Sequence, residues 1–193
     1  MKKIIVCISL SLLMFSCDVA QQLLGAYQFT QCKYDYNSIA GLSIAGVNLS
    51  NIGSNPLGLV ALTNAFTSKS GTLPLDFTLN LDVTNPNTQE ALMNGLGYIL
   101  EIDGHQMTAG SVNRQIKINS GQKVVLPIQM TFDLKQVLQG ESLDSMKNLA
   151  LNFAGIGNNS SKVTVKLRPS FSVGNQIVTS PADIPVSFTV NKK

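Results

Sequence analysis

Six apolar residues stand at every second position in Leu73, Leu75, Phe77, Leu79, Leu81 and Val83, and they alternate with Pro74, Asp76, Thr78, Asn80, Asp82 and Thr84. Successive side chains of a strand point to opposite faces, so this run is a β-strand with one dry and one wet side. A strand of that length must lie against a second apolar layer, which commits the chain to a packed sheet. The same period returns in Val124, Leu126, Ile128, Met130, Phe132 and Leu134, in Val163, Val165, Leu167 and Phe171, and in Ile184, Val186, Phe188 and Val190. Shorter alternations mark Ile116 and Ile118, and the stretch from Tyr34 to Leu49 reads as one bent strand or two short ones, with Gly41 and Gly46 as bends or bulges.

Turn chemistry punctuates these runs. Asn85-Pro86-Asn87 ends the longest one, because proline removes a ladder donor and asparagine closes turns with its side chain, so the chain is expected to reverse there. Asp103-Gly104 between Tyr98–Ile102 and His105–Ala109 predicts a type I′ hairpin with both central residues at positive φ. That turn sets a register of Ile102 opposite His105, Leu100 opposite Met107 and Tyr98 opposite Ala109. Ser120-Gly121 reads as a further hairpin. Helical spacing is confined to Leu59, Leu62 and Phe66, capped by Asn55, and to the stretch from Leu134 to Leu149, read as one broken helix or two short ones around Gly140. Seven or more strands with hairpin-type connections make the chain mainly β, an antiparallel sandwich with short helices inserted.

The N-terminus has a different character. Lys2 and Lys3 precede an apolar run from Ile4 to Phe15, then Ser16 and Cys17. The run is shorter than the roughly 20 residues a membrane span needs, so it reads as a secretory signal. Met14-Phe15-Ser16-Cys17 resembles the lipobox of bacterial lipoproteins, which implies a lipidated Cys17 as new N-terminus. The expected organisation is a signal peptide at 1–16, a lipidated tether at 17–32 and the sandwich domain at 33–193. Lys2 and Lys3 leave with the signal, so 14 basic residues fall to 12 against 11 acidic ones. A balance that even, with no basic cluster among aromatics, argues against nucleic acid as a partner. Cys7 leaves as well, so Cys32 has no partner for an internal disulfide and is expected to be a buried small hydrophobe.

The order of Val83-Thr84-Asn85-Pro86-Asn87, the strand from Tyr98 to Asp103-Gly104, Gly110 and the strand from Val124 to Leu134 resembles the late-embryogenesis-abundant type 2 (LEA-2, or WHy) family over about 70 residues. The whole layout is similar to small exported lipoproteins of Bacteroidetes. This resemblance implies an immunoglobulin- or fibronectin III-like sandwich with a helix between strands, and roles in desiccation or stress protection. It supplies no catalytic residues to map and lies outside residues 18–70.

Chemistry-bearing residues occur singly. His105 is the one histidine, beside a hairpin turn near Asp103 and Glu101, and neighbouring strand residues face opposite ways, so an ordinary turn histidine is expected. Asp76 and Asp82 share a strand face about 20 Å apart, too far for paired-carboxylate work. No metal-ligand spacing occurs, and no cofactor, metal or catalytic residue is expected. Asp144-Ser145-Met146 matches a loose bacterial O-glycosylation pattern at Ser145, whereas Asn158 to Ser161 reads as a turn. Leu143, Met146 and Leu149 suit core packing better than a ligand-binding lip. These readings lead to a non-enzymatic, membrane-anchored envelope protein facing the periplasm. It would bind another envelope protein or act in stress protection, with carriage of a lipid or hydrophobic ligand between sheet and helices as the alternative.

Overall fold

Buried and half-exposed residues alternate without a break from Leu73 to Thr84, and the computed structural model forms strand β3 (Pro74–Thr84) there. The structure describes residues 20–49, 52, 55–68, 71–139, 143–154 and 157–190. Strand β3 lies between β1 (Lys33–Ile44) and β8 (Lys123–Asp133), both antiparallel to it, and β2 (Val47–Asn48) folds back on the end of β1. Gly41 takes φ +63° beside a register shift between Ala40 and Ser43, so the strand is bent at its glycine as expected.

The second sheet has β9 (Ser161–Val173) at its centre, flanked on one side by β5 (Gly95–Ile102) and then β6 (His105–Val112). Along its other side β9 pairs with β10 (Gln176–Thr179) and with β11 (Ile184–Val190). The two sheets, β1-β3-β8 and β6-β5-β9-β11, have the strand order of an immunoglobulin- or fibronectin-like sandwich. Leu75, Leu79 and Leu81 of β3, Ile128 of β8, Leu100 of β5 and Val165 and Leu167 of β9 are all essentially inaccessible and belong to one core. Each free side of the sandwich is laced by an aromatic residue. Tyr36 of β1 stacks on Phe188 of β11 with ring centroids 4.0 Å apart, and the Tyr98 hydroxyl of β5 donates to the Gln129 carbonyl of β8 at 3.2 Å.

Two turn signals are real but do not make hairpins. After Asn85-Pro86-Asn87 the chain leaves the first sheet for β4 (Ala91–Met93), which pairs with β7 (Ile116–Ile118) in a small separate ladder. Ser120-Gly121 then returns the chain to β8, which pairs with β3 and not with β7. Both segments carry the chain between layers, and local turn chemistry does not specify which layer receives it. The Asp103-Gly104 hairpin forms with φ +52° and +86°, as the type I′ reading requires. Its register holds for Ile102 and His105 but slips beyond Glu101 and Gln106: Leu100 faces Thr108, and Tyr98 faces Gly110. The bulge leaves Met107 unpaired and buried in the core, and it puts a residue without Cβ under the Tyr98 ring, where a Cβ would sit 2.5 Å from the hydroxyl.

Helices close the ends. The described chain begins in α1 (20–30), which sends Ala26 and Phe29 into the core; the segment expected as a tether is helical here. Helix α2 (Pro56–Thr67) is capped by Asn55, whose Oδ1 accepts from Gly58 N at 3.0 Å. Helices α3 (Leu134–Val137) and α4 (Leu143–Phe153) are the two short pieces expected after β8. Cys17 and the signal segment lie outside the described residues.

Candidate functional site

Asn85 is one of two fully buried polar residues among those described, and its side chain is completely engaged. Its Nδ2 donates to the carbonyls of Gln89 at 2.8 Å and Ile118 at 2.9 Å, and its Oδ1 accepts from Asn87 N and Asn87 Nδ2. The Asn85 backbone adds bonds to Gln122 and Gly121. Asn87 extends the network: its Nδ2 also donates to the Gln28 carbonyl at 3.0 Å, and its own carbonyl accepts from Ser120 Oγ. One Asn-Pro-Asn turn thus clamps the end of β3, the β7–β8 connection and the C-terminal turn of α1. Pro86 stands exposed between the two asparagines.

The second motif works in the same way at the opposite end of the second sheet. Asp103 Oδ1 accepts from Lys162 N at 2.8 Å and Oδ2 from the buried Ser161 hydroxyl at 3.1 Å, while Asp103 N donates to the Lys162 carbonyl. Gly104 supplies the second positive φ, so the pair fixes the hairpin to the start of β9. Both motifs therefore spend their polar groups on holding the sandwich together.

The remaining candidates are held apart. His105 is exposed beside the turn, and Glu101 is ion-paired with Lys166 across the sheet. Asp76 accepts from Thr131 Oγ1 at 2.7 Å. Asp82 takes Lys123 and Asn37, and the bond from Lys123 together with that from Asn37 holds its carboxyl below the usual range. Among the described residues no cluster of three His, Cys, Asp or Glu could hold a metal. Cys32 is free and buried, with Sγ 3.5 Å from the Gln28 carbonyl, and burial pushes its thiol up to about 11. Beside it the Tyr34 hydroxyl donates to the Phe29 carbonyl at 2.6 Å, and burial, followed by the Cys32 charge, pushes that phenol far upward. Ser145 lies exposed in the first turn of α4, and Leu149 packs half-buried against the core; the side chains of Leu143 and Met146 are outside the described residues.

Three surface grooves occur among the described residues. Two grooves of about 450 and 440 Å³ open on the side of the sandwich between β6 and β8, one around Arg114 and Gln129 and the other around Thr108 and Thr131. A third, of about 270 Å³, separates α1 from β4, where Gly25 allows an approach that brings its Cβ position to 3.1 Å from Leu92 Cβ. All three are open to solvent, so none of them encloses an apolar ligand. The feature that sequence reasoning missed is α1 itself. Its outward residues Ala20, Leu23, Leu24 and Tyr27 stand at helical spacing, which was the available signal. No helix among the described residues is long and apolar enough to cross a membrane.

No protein-family model and no curated protein sequence matches the chain. Solved structures similar to it include a protein from Archaeoglobus fulgidus, at 11% identity and TM-score 0.39, with 82% of this chain and 98% of that one covered. AT1g01470 from Arabidopsis thaliana is similar at 9% identity and TM-score 0.41, covering 82% and 77%. At2g46140.1, described as a late embryogenesis abundant (LEA) protein, is similar at 11% identity and TM-score 0.40, covering 92% and 86%. Overlaps at this level carry no argument, and the fold rests on the strands and their register.

Proposed function

We propose that the chain is a non-enzymatic envelope lipoprotein in which an LEA-2/WHy-type sandwich is held at a membrane by lipid on Cys17 and acts as a binding or stress-protective module. The observation that carries the reading is the use made of the motif residues. Asn85 and Asn87 bond to β7 and α1, Asp103 and Ser161 join the hairpin to β9, and Asp76, Asp82 and Glu101 each have a structural partner of their own. Groups so engaged serve stability, which leaves the N-terminal Lys2-Lys3, apolar run and Ser16-Cys17 as the functional address. Three acyl chains, as in mature bacterial lipoproteins, would make the anchor effectively permanent, since two lipid signals already suffice for stable attachment.

Fractionation of cells tests this. The native chain is expected in the membrane pellet and Cys17→Ala in the soluble fraction. A Cys17→Ala protein that stays with membranes contradicts the anchor.

A further inference from the structure

The residues of α1 divide into two apolar faces. Gly25, Ala26 and Phe29 turn inward, and Phe29 meets Phe171 and Tyr34 edge-on. On the outside Leu23, Leu24 and Tyr27 are 51%, 47% and 60% exposed. At 3.6 residues per turn, Ala20, Leu23, Leu24 and Tyr27 fall within about 100° of arc, a continuous stripe. No charged residue occurs from 20 to 32. A helix at the surface of a soluble domain normally turns a charged face to water, and one that is apolar on both sides has a second apolar surface to meet.

What covers that stripe follows from where the chain comes from. Only Asp18 and Val19 separate Cys17 from Ala20, three residue steps that span at most about 11 Å even when fully extended. A lipidated Cys17 therefore keeps the start of α1 within that distance of the bilayer surface. We propose that the Leu23-Leu24-Tyr27 face of α1 lies in the lipid interface, so that the anchored sandwich stands on this helix instead of swinging on a free tether. This rests on the lipoprotein reading and adds to it the orientation of the domain. Tyrosine suits the headgroup level, and the uncharged glutamines 21, 22 and 28 cost little to bring there. The β9–β10 turn is tied to the helix by Gly174 N donating to Gln22 Oε1 at 2.9 Å, which brings the exposed Ile177 and Val178 to the same end of the sandwich. The Asp103-Gly104 turn, bonded to the opposite end of β9, then points away from the membrane by about 40 Å, the length of that strand.

The sequence contains no tryptophan, so a single indole reports its own position. Tyr27→Trp and, as the distal control, His105→Trp are made in the full-length, lipidated protein and reconstituted in phosphatidylcholine–phosphatidylglycerol vesicles. An interfacial helix sits about 5–10 Å into the headgroup boundary, so lipids brominated high on the acyl chain are expected to quench roughly half or more of the emission at position 27 and to leave position 105 unchanged. Protein that floats with the vesicles while position 27 stays unquenched overturns the proposed face and leaves the anchor standing. Protein that does not float overturns both. A Cys17→Ala protein that dimerises in solution, and is returned to monomer by Leu24→Ser, assigns the stripe to a second copy and overturns the lipid contact.

Discussion

Replacement of Asn85 by alanine removes a side chain that makes four hydrogen bonds at a fully buried position. Each such bond contributes about 0.5–1.5 kcal/mol net, and a group left unpaired inside costs about 1–3 kcal/mol. The carbonyl of Ile118 is deeply buried, whereas Gln89 and Asn87 lie nearer the surface and can recruit water. The loss is therefore expected at about 3–5 kcal/mol, a large share of the roughly 5–15 kcal/mol that holds a domain folded. Urea unfolding followed by circular dichroism measures it as a midpoint shift of about 1–2 M at an unchanged slope. Asn85→Asp separates bonding from size, because aspartate keeps the volume but has no donor for the Gln89 and Ile118 carbonyls. It is expected to cost at least as much as alanine. A loss below about 1 kcal/mol for alanine, or a neutral aspartate, would refute the claim that this side chain clamps the turn after β3 to the end of β7.

At the other motif, Gly104→Ala places a Cβ at φ +86° and is expected to cost about 1 kcal/mol, and Asp103→Ala, which also loses the bonds to Lys162 N and Ser161, about 2–3 kcal/mol by thermal unfolding. Equal, negligible losses would mean the hairpin is not tied to β9. The Cys32 thiol, held up to about 11, is expected to resist alkylation at pH 8 until the chain unfolds. The linkage runs in one direction: below pH 9 the thiol is protonated in both states, and as pH rises the unfolded chain ionises first, so stability falls through the window from 9 to about 11. Tyr34 adds to the fall from pH 10 upward. Cys32→Ala should flatten the portion between pH 9 and 10, and an unchanged slope would contradict a buried thiol.

The parts of this fold that were legible beforehand are those in which the two sides of an element differ. Strand β3 declares itself because every second residue is dry, α2 because Asn55 and Pro56 open it, and the Asp103-Gly104 turn because few other pairs tolerate its backbone. Helix α1 is obscure for the opposite reason: it is apolar inside and outside, so the helical spacing of its outward residues is not set off by a charged face. All four residues of β10 are exposed, which removes the alternation that would reveal a strand, and β4 is too short to establish a period. The bulge after Glu101 and the crossovers at Asn85 and Ser120 depend on partners distant in sequence, because register and layer are decided by which side chains must reach the core. Of the candidate site, the motif residues were visible as turns, but their clamping of α1 through the Gln28 carbonyl was not, since nothing local to Asn87 names its acceptor.

The central claim, a sandwich tethered by lipid, is tested most directly by the mass of the mature N-terminus. Peptides from the membrane fraction should begin at Cys17 and carry a diacylglyceryl group with a further acyl chain on the amine. An unmodified peptide that runs through Ser16-Cys17, or that begins at Cys17 without lipid, would contradict it.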